Sequence, residues 1–392
     1  MKKLEVTFRV VTPMFMGGAD PAVREELRPP SIKGVLRFWF RAIYPKDYTR
    51  NESRIFGGTD KHEGQARLLL RVSSQQLTHG EKNNTRWSGT NIPYLGYGII
   101  DHGGCATRPY IKEESIRENS RFTLTVHFKP PCNDEQERTY KNDKLRVGRT
   151  IWAMTMFGGL GARSRKGFGS LAVVSQTGLD DLPTLMPRND QELQESIRDF
   201  VSEIDLQDSS LPATPAEHTC FSTDARCVIT GNSETAESVF IWLADAVHGC
   251  RSYRSRTHYQ ATTDDHDLMN RFISSGVVSD PPMPPKRAAF GLPHNYFFSR
   301  SQKKGGVDYM EGGKKGRRAS PVFFKICDFE GSGACVIATF LPARLIPEGG
   351  VVTLTGDCNN RGCLYETTMP LPNDFHAVTE LLKTLGGKGV LP

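Results

Sequence analysis

Residues 158–171, GGLGARSRKGFGSL, hold five glycines and three basic residues in fourteen positions. A chain without Cβ atoms can lay its N–H groups against an anion, so this composition is typical of phosphate contact. A Walker A loop is excluded, because Lys166 precedes Gly167 and no hydroxyl residue follows it. A dinucleotide fingerprint is excluded too, since it requires a third glycine at Ser164 and a helix downstream. The segment LAVV that follows predicts a strand, so the loop joins a helix to a strand.

Strands and helices alternate in a simple order around this loop. The apolar periodicity predicts strands at 4–11, 66–73, 121–128 and 170–175, a helix from Ser31 to Tyr44 with Ser31 as its N-cap, a short helical piece at 52–56, and a helix at 144–157. The main order is strand, helix, strand, strand, helix, strand. That is the ferredoxin-like βαββαβ pattern of RNA-recognition modules, within the α+β class. Trp39 and Trp152 lie on the apolar helix faces and are predicted core residues.

The second half of the chain predicts a further α+β domain. Helical periodicity covers 190–204, 237–249 and 373–385, and strand-like runs cover 226–230, 320–329 and 334–341. At 392 residues the chain is too long for one ordinary core. We therefore expect two domains, at residues 1–176 and 177–392.

Basic residues are concentrated in three places. They are the stripe Lys33, Arg37 and Arg41 on the first helix, the loop residues Arg163, Arg165 and Lys166, and the segment 300–318 with Lys314, Lys315, Arg317 and Arg318. Residues 300–318 carry seven basic residues, two acidic residues and five glycines. We expect this segment to be a flexible loop that is disordered without a partner.

These features predict a nucleic-acid-binding site on one condition. Both glycine-rich segments, Met16–Gly18 and Gly158–Gly169, must lie at the same edge of the sheet. Backbone N–H groups and arginines would then follow a phosphate backbone. Nearby aromatic residues would stack on unpaired bases; the candidates are Phe15, Phe168, Tyr94 and Tyr97. The helix stripe could equally be a solvated face, and 300–318 a plain surface loop. The five glycines of the first loop favour a specific role, because they cost folding entropy that a simple connection would avoid.

Composition limits which other classes of protein the sequence can represent. The net charge of +6 permits an anionic partner without requiring one. No stretch reaches the length of a membrane span, and the first residues have no signal-peptide core, so a cytoplasmic protein without a membrane partner is expected. The nine cysteines have no repeated C-x-x-C pattern, and no cofactor is predicted. Zinc sites at Cys358 and Cys363, or at His218, Cys220 and Cys227, are left open.

Five stretches carry a family resemblance: GGADP at 17–21, LRPPSIKGVLRFWFRA at 27–42, ESRIFGG at 52–58, GGLGARSRKGFGS at 158–170, and RRASPVFFKI at 317–326. Together they resemble the RAMP superfamily of CRISPR proteins, and within it the first-subunit family of type III-B Cmr RNA-targeting effector complexes. The resemblance implies two ferredoxin-like domains in tandem. It also implies a place beside other Cmr subunits in a ribonucleoprotein of antiviral defence.

The resemblance further implies contact with the CRISPR RNA near its 3′ end and with single-stranded target RNA. It implies a subunit that binds RNA and does not cut it, since cleavage resides in other subunits of such complexes. The family pattern carries over to ten residues: Gly17, Gly18, Lys33, Arg37, Arg41, Arg163, Arg165, Lys166, Gly167 and Gly169.

Three alternatives remain open. A RAMP-type endoribonuclease that processes CRISPR RNA would use a histidine as general base, and the candidates are His62, His248, His266 and His258 beside Tyr259. A metal-dependent nuclease would use residues 264–267, DDHD, although we expect these polar residues to face water in a loop. A structural adaptor would bind acidic neighbouring subunits through its basic loops.

Overall fold

The chain is described from a computed structural model. It covers residues 3–18, 25–46, 48–59, 64–101, 109–111, 114–207, 216–251, 261–278, 282–298, 301–357, 364–371 and 374–391.

The described residues of the first half form eight strands and four helices. They are β1 Lys3–Val10, α1 Pro29–Ile43, α2 Tyr48–Phe56, β2 Leu68–Gln76, β3 His79–Gly80, α3 Ile92–Leu95, β4 Ile100–Asp101, β5 Tyr110–Ile111, β6 Ser115–Ile116, β7 Arg121–Phe128, α4 Asp134–Phe157 and β8 Leu171–Thr177. The four long strands form an antiparallel sheet in the order β2-β7-β1-β8. Counted along the chain, the long strands lie in the order second, third, first, fourth.

The second half contains nine strands, four α-helices and a short 3-10 helix in its described residues. They are α5 Asp190–Gln207, β9 Arg226–Ser233, α6 Ala236–Arg251, α7 Asp264–Ser275, the 3-10 helix Lys286–Phe290, β10 His294–Phe298, β11 Lys303–Glu311, β12 Lys314–Gly316, β13 Val322–Asp328, β14 Ala334–Phe340, β15 Val351–Asp357, β16 Leu364–Met369, α8 His376–Leu385 and β17 Lys388–Gly389.

Two further antiparallel sheets are built from these strands. One has the order β13-β14-β9-β17, again second, third, first, fourth along the chain. The other has the order β10-β11-β15-β16, and β12 pairs with β11. The molecule is therefore a mixed α/β protein with antiparallel sheets.

Apolar periodicity explains why the first-half elements form. In β1 every second residue is buried, so one face of the strand meets the core. In α1, Ile32, Leu36 and Trp39 recur at helical spacing and are buried. Trp39 and Trp152 are at most 2% exposed, which confirms their predicted core positions.

Side chains from both halves share one hydrophobic core. Phe200 of α5 stacks on Trp152 of α4, with ring centroids 4.0 Å apart. Phe323 of β13 lies 5.4 Å from the Trp39 ring. The other face of β13 and β14 belongs to a second core with α6 and α8. The domain boundary predicted after residue 176 stays a prediction.

Two predicted helix starts are wrong. The first helix begins at Pro29, and Arg28 occupies the N-cap position in place of Ser31. Proline is well suited to the first helical turn because it lacks the N–H that would be unpaired there. The helix predicted from residue 144 begins ten residues earlier, at Asp134. Asn133 accepts a hydrogen bond from Gln136 N, and Gln136 Oε1 accepts one from Cys132 N, a capping box that extends the helix into the charged segment.

Candidate nucleic-acid interface

The glycine-rich loop 158–171 packs against the chain that follows β1. Ala162 N donates to Phe15 O at 2.6 Å, and Gly169 N donates to Pro13 O at 3.0 Å. Thr12 Oγ1 donates to Gly167 O at 2.6 Å. The loop therefore contacts residues 12–15, which directly precede the first glycine-rich segment, Met16–Gly18.

The same loop also contacts β13 of the second half. Phe324 N donates to Arg165 O at 3.1 Å, and Ile326 N donates to Ser170 Oγ at 3.0 Å. The loop thus lies between two sheets and hydrogen-bonds to both halves of the chain.

Close packing at this junction accounts for the glycines. Gly161, Gly167 and Gly169 have φ values of +88°, +89° and +60°, in the left-handed region that favours glycine. A Cβ at Gly169 would overlap the carbonyl oxygen of Leu160, and one at Gly159 would lie 2.6 Å from Gly169 O. The junction needs glycine whether or not it meets a phosphate.

Arg165 lies inside this junction. Its guanidinium is 5.0 Å from the Phe38 ring and 4.4 Å from the Phe323 ring, and it donates to Ser320 O. Burial lowers the pKa of Arg165 to about 10, so the group remains charged at neutral pH. Beside it, Ser31 and Gly34 of α1 help to line a cavity of about 260 Å³.

Arg163 stands at the exposed tip of the loop, in the left-handed conformation with φ +58°. A Cβ at Gly98 would lie 3.0 Å from Arg163 Nη2, so the guanidinium lies against the segment between β2 and β7. Partial burial and repulsion from Arg317 lower the pKa of Arg163. Tyr97, on the same segment, is 59% exposed. We call Arg163, Arg317 and Tyr97 the outer basic surface.

A second group of basic residues lies behind Lys166. Arg251 at the end of α6 donates from Nη2 to His294 Nε2 at 3.0 Å, and its guanidinium lies 5.0 Å from the Phe290 ring. The Arg287 guanidinium lies 5.9 Å from the ring of Tyr296. We call Lys166, Arg251, Arg287 and His294 the inner basic cluster.

The pKa values of this cluster reflect burial and repulsion. Burial, followed by repulsion from Arg251, Arg163 and Arg165, lowers the pKa of Lys166 to about 7. Burial, followed by repulsion from Arg251, Arg287 and Lys166, lowers the pKa of His294 well below its ordinary value. His294 is therefore neutral at pH 7, which suits its role as acceptor from Arg251.

Sequence reasoning missed Arg251, Arg287 and His294. Arg287 follows Lys286, and Arg251 precedes Arg254 and Arg256, but such short basic groups match no binding motif, and His294 has no charged residue beside it. Only the tertiary contacts bring them beside Lys166.

The predicted stripe on α1 is largely engaged by an acidic residue. Arg37 Nε donates to Glu52 Oε1 at 2.6 Å, and Arg41 Nη2 donates to the same oxygen at 2.7 Å. Burial opposes ionisation of Glu52, but the hydrogen bonds from Arg41 and Arg37 outweigh it and lower the pKa. Lys33 is partly buried, and this burial with repulsion from Arg37 and Lys129 lowers its pKa. RNA contact by the stripe stays a prediction.

The basic segment predicted to be a disordered loop is wrong in its described residues, 301–318. It forms the hairpin of β11 and β12, in which Tyr309 pairs with Gly316. Lys315 Nζ lies 2.7 Å from Asp308 Oδ2. The Arg318 guanidinium donates to Leu345 O at 2.6 Å and Arg344 O at 2.7 Å. Lys314 and Arg317 are exposed.

The first glycine-rich segment is described only up to Gly18. Gly17 forms an isolated bridge with Glu25, and Gly18 O accepts from Arg28 Nη1 at 3.3 Å. The remainder of the GGADP stretch lies outside the described residues.

Two of the aromatic residues predicted to stack on bases are buried, so that prediction is wrong for them. Phe15 is 3% exposed and Phe168 is not exposed. Phe168 contacts the rings of Phe15, Trp87 and Phe240, with centroids 4.9 to 5.8 Å apart. The small cross-section of the neighbouring glycines lets this ring enter the core between α3 and α6.

The prediction that residues 264–267, DDHD, face water in a loop is wrong in two respects, since they begin α7 and Asp265 is buried, whereas Asp264 and Asp267 are exposed as predicted. Asp265 is 2% exposed at the start of α7, and its two carboxylate oxygens accept from Lys286 N and Arg287 N at 2.8 Å each. His266 Nδ1 lies 3.0 Å from Asp267 Oδ1. Asp265 therefore holds the 3-10 helix in place.

The other nuclease candidates and the zinc candidates are only partly visible. His62, His258, Tyr259, Cys358 and Cys363 lie outside the described residues. The His248 ring contacts the Tyr94 ring at 5.1 Å. Among the residues that the structure describes, no three His, Cys, Asp or Glu side chains are grouped as a metal ion would require. In the same residues no helix is long and apolar enough to cross a bilayer.

Comparison with known proteins is consistent with this architecture. Residues 7–172 match the model of the RAMP superfamily. Over 182 residues the chain is 28% identical to CRISPR system Cmr subunit Cmr1-2 of Pyrococcus furiosus, covering 42% of this chain and 90% of that protein. It is 30% identical over 169 residues to subunit Cmr1-1 of the same organism, covering 40% of this chain and 44% of that protein.

Two solved structures share the fold over nearly the whole chain. The apo crystal structure of Cmr1 from Pyrococcus furiosus superimposes with a TM-score of 0.56 at 17% identity, covering 100% of this chain and 99% of that one. A chain in the cryo-EM structure of the type III-B Cmr-beta complex bound to cognate target RNA gives a TM-score of 0.53 at 12% identity, covering 98% and 99%.

Residues 7–172 thus match the RAMP superfamily, the family that the sequence motifs indicated. The chain is similar in sequence to two CRISPR system Cmr1 subunits.

Proposed function

We propose that this protein is a non-catalytic RNA-binding subunit of a cytoplasmic type III-B Cmr effector, which contacts CRISPR RNA, target RNA or both in antiviral defence. Other Cmr subunits are its proposed protein partners. The relatives support this proposal, since Cmr1-1 and Cmr1-2 are Cmr subunits and the Cmr-beta structure holds target RNA. The repeated strand order supports two tandem ferredoxin-like domains as the scaffold.

The observation that carries the proposal is the outer basic surface. Arg163 and Arg317 are exposed, repel one another, and have no ion-pair partner among the described residues. Tyr97 beside them offers an exposed ring. Two unpaired guanidinium groups next to an aromatic ring form a surface that binds phosphates and stacks a base with little sequence preference.

Fluorescence anisotropy of labelled single-stranded RNA, about 20 to 40 nucleotides long, tests this proposal on the purified chain. The variant Arg163→Gln with Arg317→Gln should weaken binding about tenfold or more, because each charged hydrogen bond contributes strongly. The control variant Arg138→Gln with Arg188→Gln removes the same charge at two exposed helix or loop positions. Equal weakening by the control would contradict a specific surface. Absence of RNA binding by the wild-type chain would favour the adaptor, since RNA binding without a partner protein separates the two functions.

A second candidate function is an RNA-cleaving enzyme, and one observation favours it. His294 is neutral and close to Lys166, whose pKa is about 7, and these are suitable groups for proton transfer. Denaturing gels of the same RNA samples distinguish the two functions. Intact RNA supports a binding subunit, whereas discrete fragments that disappear with His294→Ala identify an endoribonuclease.

A further inference from the structure

The inner basic cluster carries more positive charge than the described structure neutralises. When Lys166 is protonated the cluster has three cations, Lys166, Arg251 and Arg287, and the acidic side chain beside them among the described residues is Asp265. Its carboxylate already accepts two backbone N–H groups, and its Oδ2 lies 3.9 Å from Arg287 Nε. Among the described residues, neither Lys166 nor Arg251 has an ion-pair partner. After Asp265 is counted against one arginine, two positive charges remain.

Uncompensated charge in a partly buried site is unfavourable, because burial removes the water that stabilises it. The surroundings of Lys166 illustrate this penalty. Its Nζ lies 5.7 Å from the Phe324 ring, and three nearby arginines repel its positive charge. A bound anion would remove the penalty and restore the protonated lysine.

The inner basic cluster also contains hydrogen-bond donors that have no acceptor among the described residues. Arg251 Nε, Arg287 Nε and Tyr296 Oη are buried and have no hydrogen-bond partner within the described part of the chain. Tyr296 is 8% exposed, and the Arg287 guanidinium lies against its ring. Buried donors are nearly always satisfied, so three orphan donors beside excess cations indicate an acceptor that carries negative charge.

We propose that the inner basic cluster binds a doubly charged phosphate group, with Lys166 and Arg251 as its principal ligands. The excess of two positive charges matches a phosphomonoester or inorganic phosphate better than an internal phosphodiester, which carries one charge. His294 positions Arg251 by accepting from it. The phosphate is either a terminal phosphate of RNA, in which case the inference rests on the proposed function, or a free phosphate ion.

Isothermal titration calorimetry of the full chain with inorganic phosphate tests the site. The wild type should bind phosphate, and Arg251→Gln should weaken binding about tenfold or more. Lys166→Met provides a second variant with the same expectation in case Arg251→Gln fails to fold, as judged by circular dichroism. The control Arg138→Gln should leave phosphate binding unchanged. Absence of phosphate binding by the wild type, or equal loss in the control, overturns the proposal.

Labelled RNA of one sequence, carrying either phosphate or hydroxyl at its 3′ or 5′ end, distinguishes the sources. Tighter binding of one phosphorylated end, lost in Arg251→Gln, supports the RNA terminus. Phosphate binding with no preference between RNA ends supports a free phosphate ion. Binding of hydroxyl-ended RNA without phosphate binding overturns this inference and leaves the proposed function standing. Phosphate binding without any RNA binding supports this inference, with a free phosphate ion as the ligand, and contradicts the proposed function.

The pH dependence of anion binding provides an independent test of the role of Lys166. Lys166 is faced by Arg163 and Arg165 of its own loop, Arg251 of α6 and His294 of β10. Further groups complete the cluster: Arg287 of the 3-10 helix faces His294 and Tyr296 of β10, and Asp265 of α7 faces Tyr296. Sulfate keeps its two charges across neutral pH, so its binding should weaken as pH rises through 7 in the wild type. Lys166→Met should show no such change, and an unchanged wild-type affinity from pH 6 to 9 would contradict the role of Lys166.

Discussion

At the residue scale, Glu52 determines what the basic stripe of α1 can do. Its side chain is 4% exposed and receives both Arg37 and Arg41. A buried carboxylate is stable only when its oxygens accept charged donors, so the two arginines stabilise the contact between α1 and α2. The four-residue spacing of Arg37 and Arg41 places both guanidinium groups within reach of Glu52.

Glu52→Gln should therefore lower the free energy of unfolding by about 1–3 kcal/mol, since a charge-assisted pair of contacts becomes a weaker one. The difference should be present above pH 4.5 and should disappear as the pH falls through the lowered pKa of Glu52, where the wild-type carboxyl is also neutral. Urea unfolding at several pH values measures it. The matched control is Glu192→Gln, whose partner Arg188 is 83% exposed, so that solvent screens the pair and its loss should change the unfolding free energy far less. Similar losses in both variants would contradict the role of Glu52.

Lys166 should make the stability of the ligand-free protein depend on alkaline pH. Its folded pKa of about 7 lies below its unfolded value of 10.5, so between these values the unfolded chain binds more protons. Stability should therefore rise with pH from 7 towards 10. Denaturant unfolding in chloride buffer should show a smaller rise for Lys166→Met than for the wild type. Parallel curves for the two proteins would argue against a depressed pKa.

At the element scale, the glycine-rich loop acts as a packed junction. Its backbone hydrogen-bonds to the segment after β1 and to β13, and its glycines permit contacts that a Cβ would block. The short distance between these backbones keeps Arg163 at an exposed tip while Arg165 and Lys166 point into the molecule. The four-residue stretch 163–166 therefore contributes to both the outer basic surface and the inner basic cluster.

Gly169→Ala should destabilise the protein by about 1–3 kcal/mol or more, because the left-handed conformation and the contact with Leu160 O both oppose a Cβ. Gly34→Ala, in α1, is the control. A Cβ there meets nothing within 4 Å, so alanine should stabilise the helix by up to about 1 kcal/mol. Thermal unfolding compares the two variants. A Gly169→Ala protein as stable as the wild type would show that the junction is not tightly packed.

At the scale of the whole molecule, three sheets and the segment between β2 and β7 meet around the loop. Arg86 of that segment contacts both Glu118 of the first half and Glu237 of α6 at 2.7 Å. The outer basic surface consequently draws Tyr97, Arg163 and Arg317 from three separate parts of the chain. Such a surface exists only while the two halves stay together.

RNA affinity should fall steeply with salt if this surface meets phosphates. For single strands the slope of log affinity against log salt changes by about 0.7 for each phosphate contact. Arg163→Gln with Arg317→Gln should therefore make the slope shallower by about 1.4, and the control pair Arg138→Gln with Arg188→Gln should not change it. Anisotropy titrations at four salt concentrations measure the slopes. An unchanged slope in the first variant would mean that these arginines do not contact phosphate.

Local periodicity was enough to predict the principal elements of the first sheet and the buried tryptophans, because alternation in a strand and helical spacing are properties of neighbouring residues. The strand β7 was predicted with its observed bounds, and β1 within one residue. The helix extension at Asp134 was missed, since it depends on one cap rather than on apolar spacing. The hairpin at 303–316 was missed as well, because a basic, glycine-rich composition hides pairing with β15.

The sequence by itself determined the main order of strands and helices in the first half, the core faces of its long elements, and the family that its motifs resemble. Only the tertiary structure decided which charges are neutralised and which are not. Glu52 forms ion pairs with Arg37 and Arg41 of the predicted stripe. Lys166 lies in the inner basic cluster with Arg251, Arg287 and His294, which come from distant segments. The physical reason is range: apolar patterning is set by nearest neighbours in the chain, whereas charge pairing depends on which segments folding brings together.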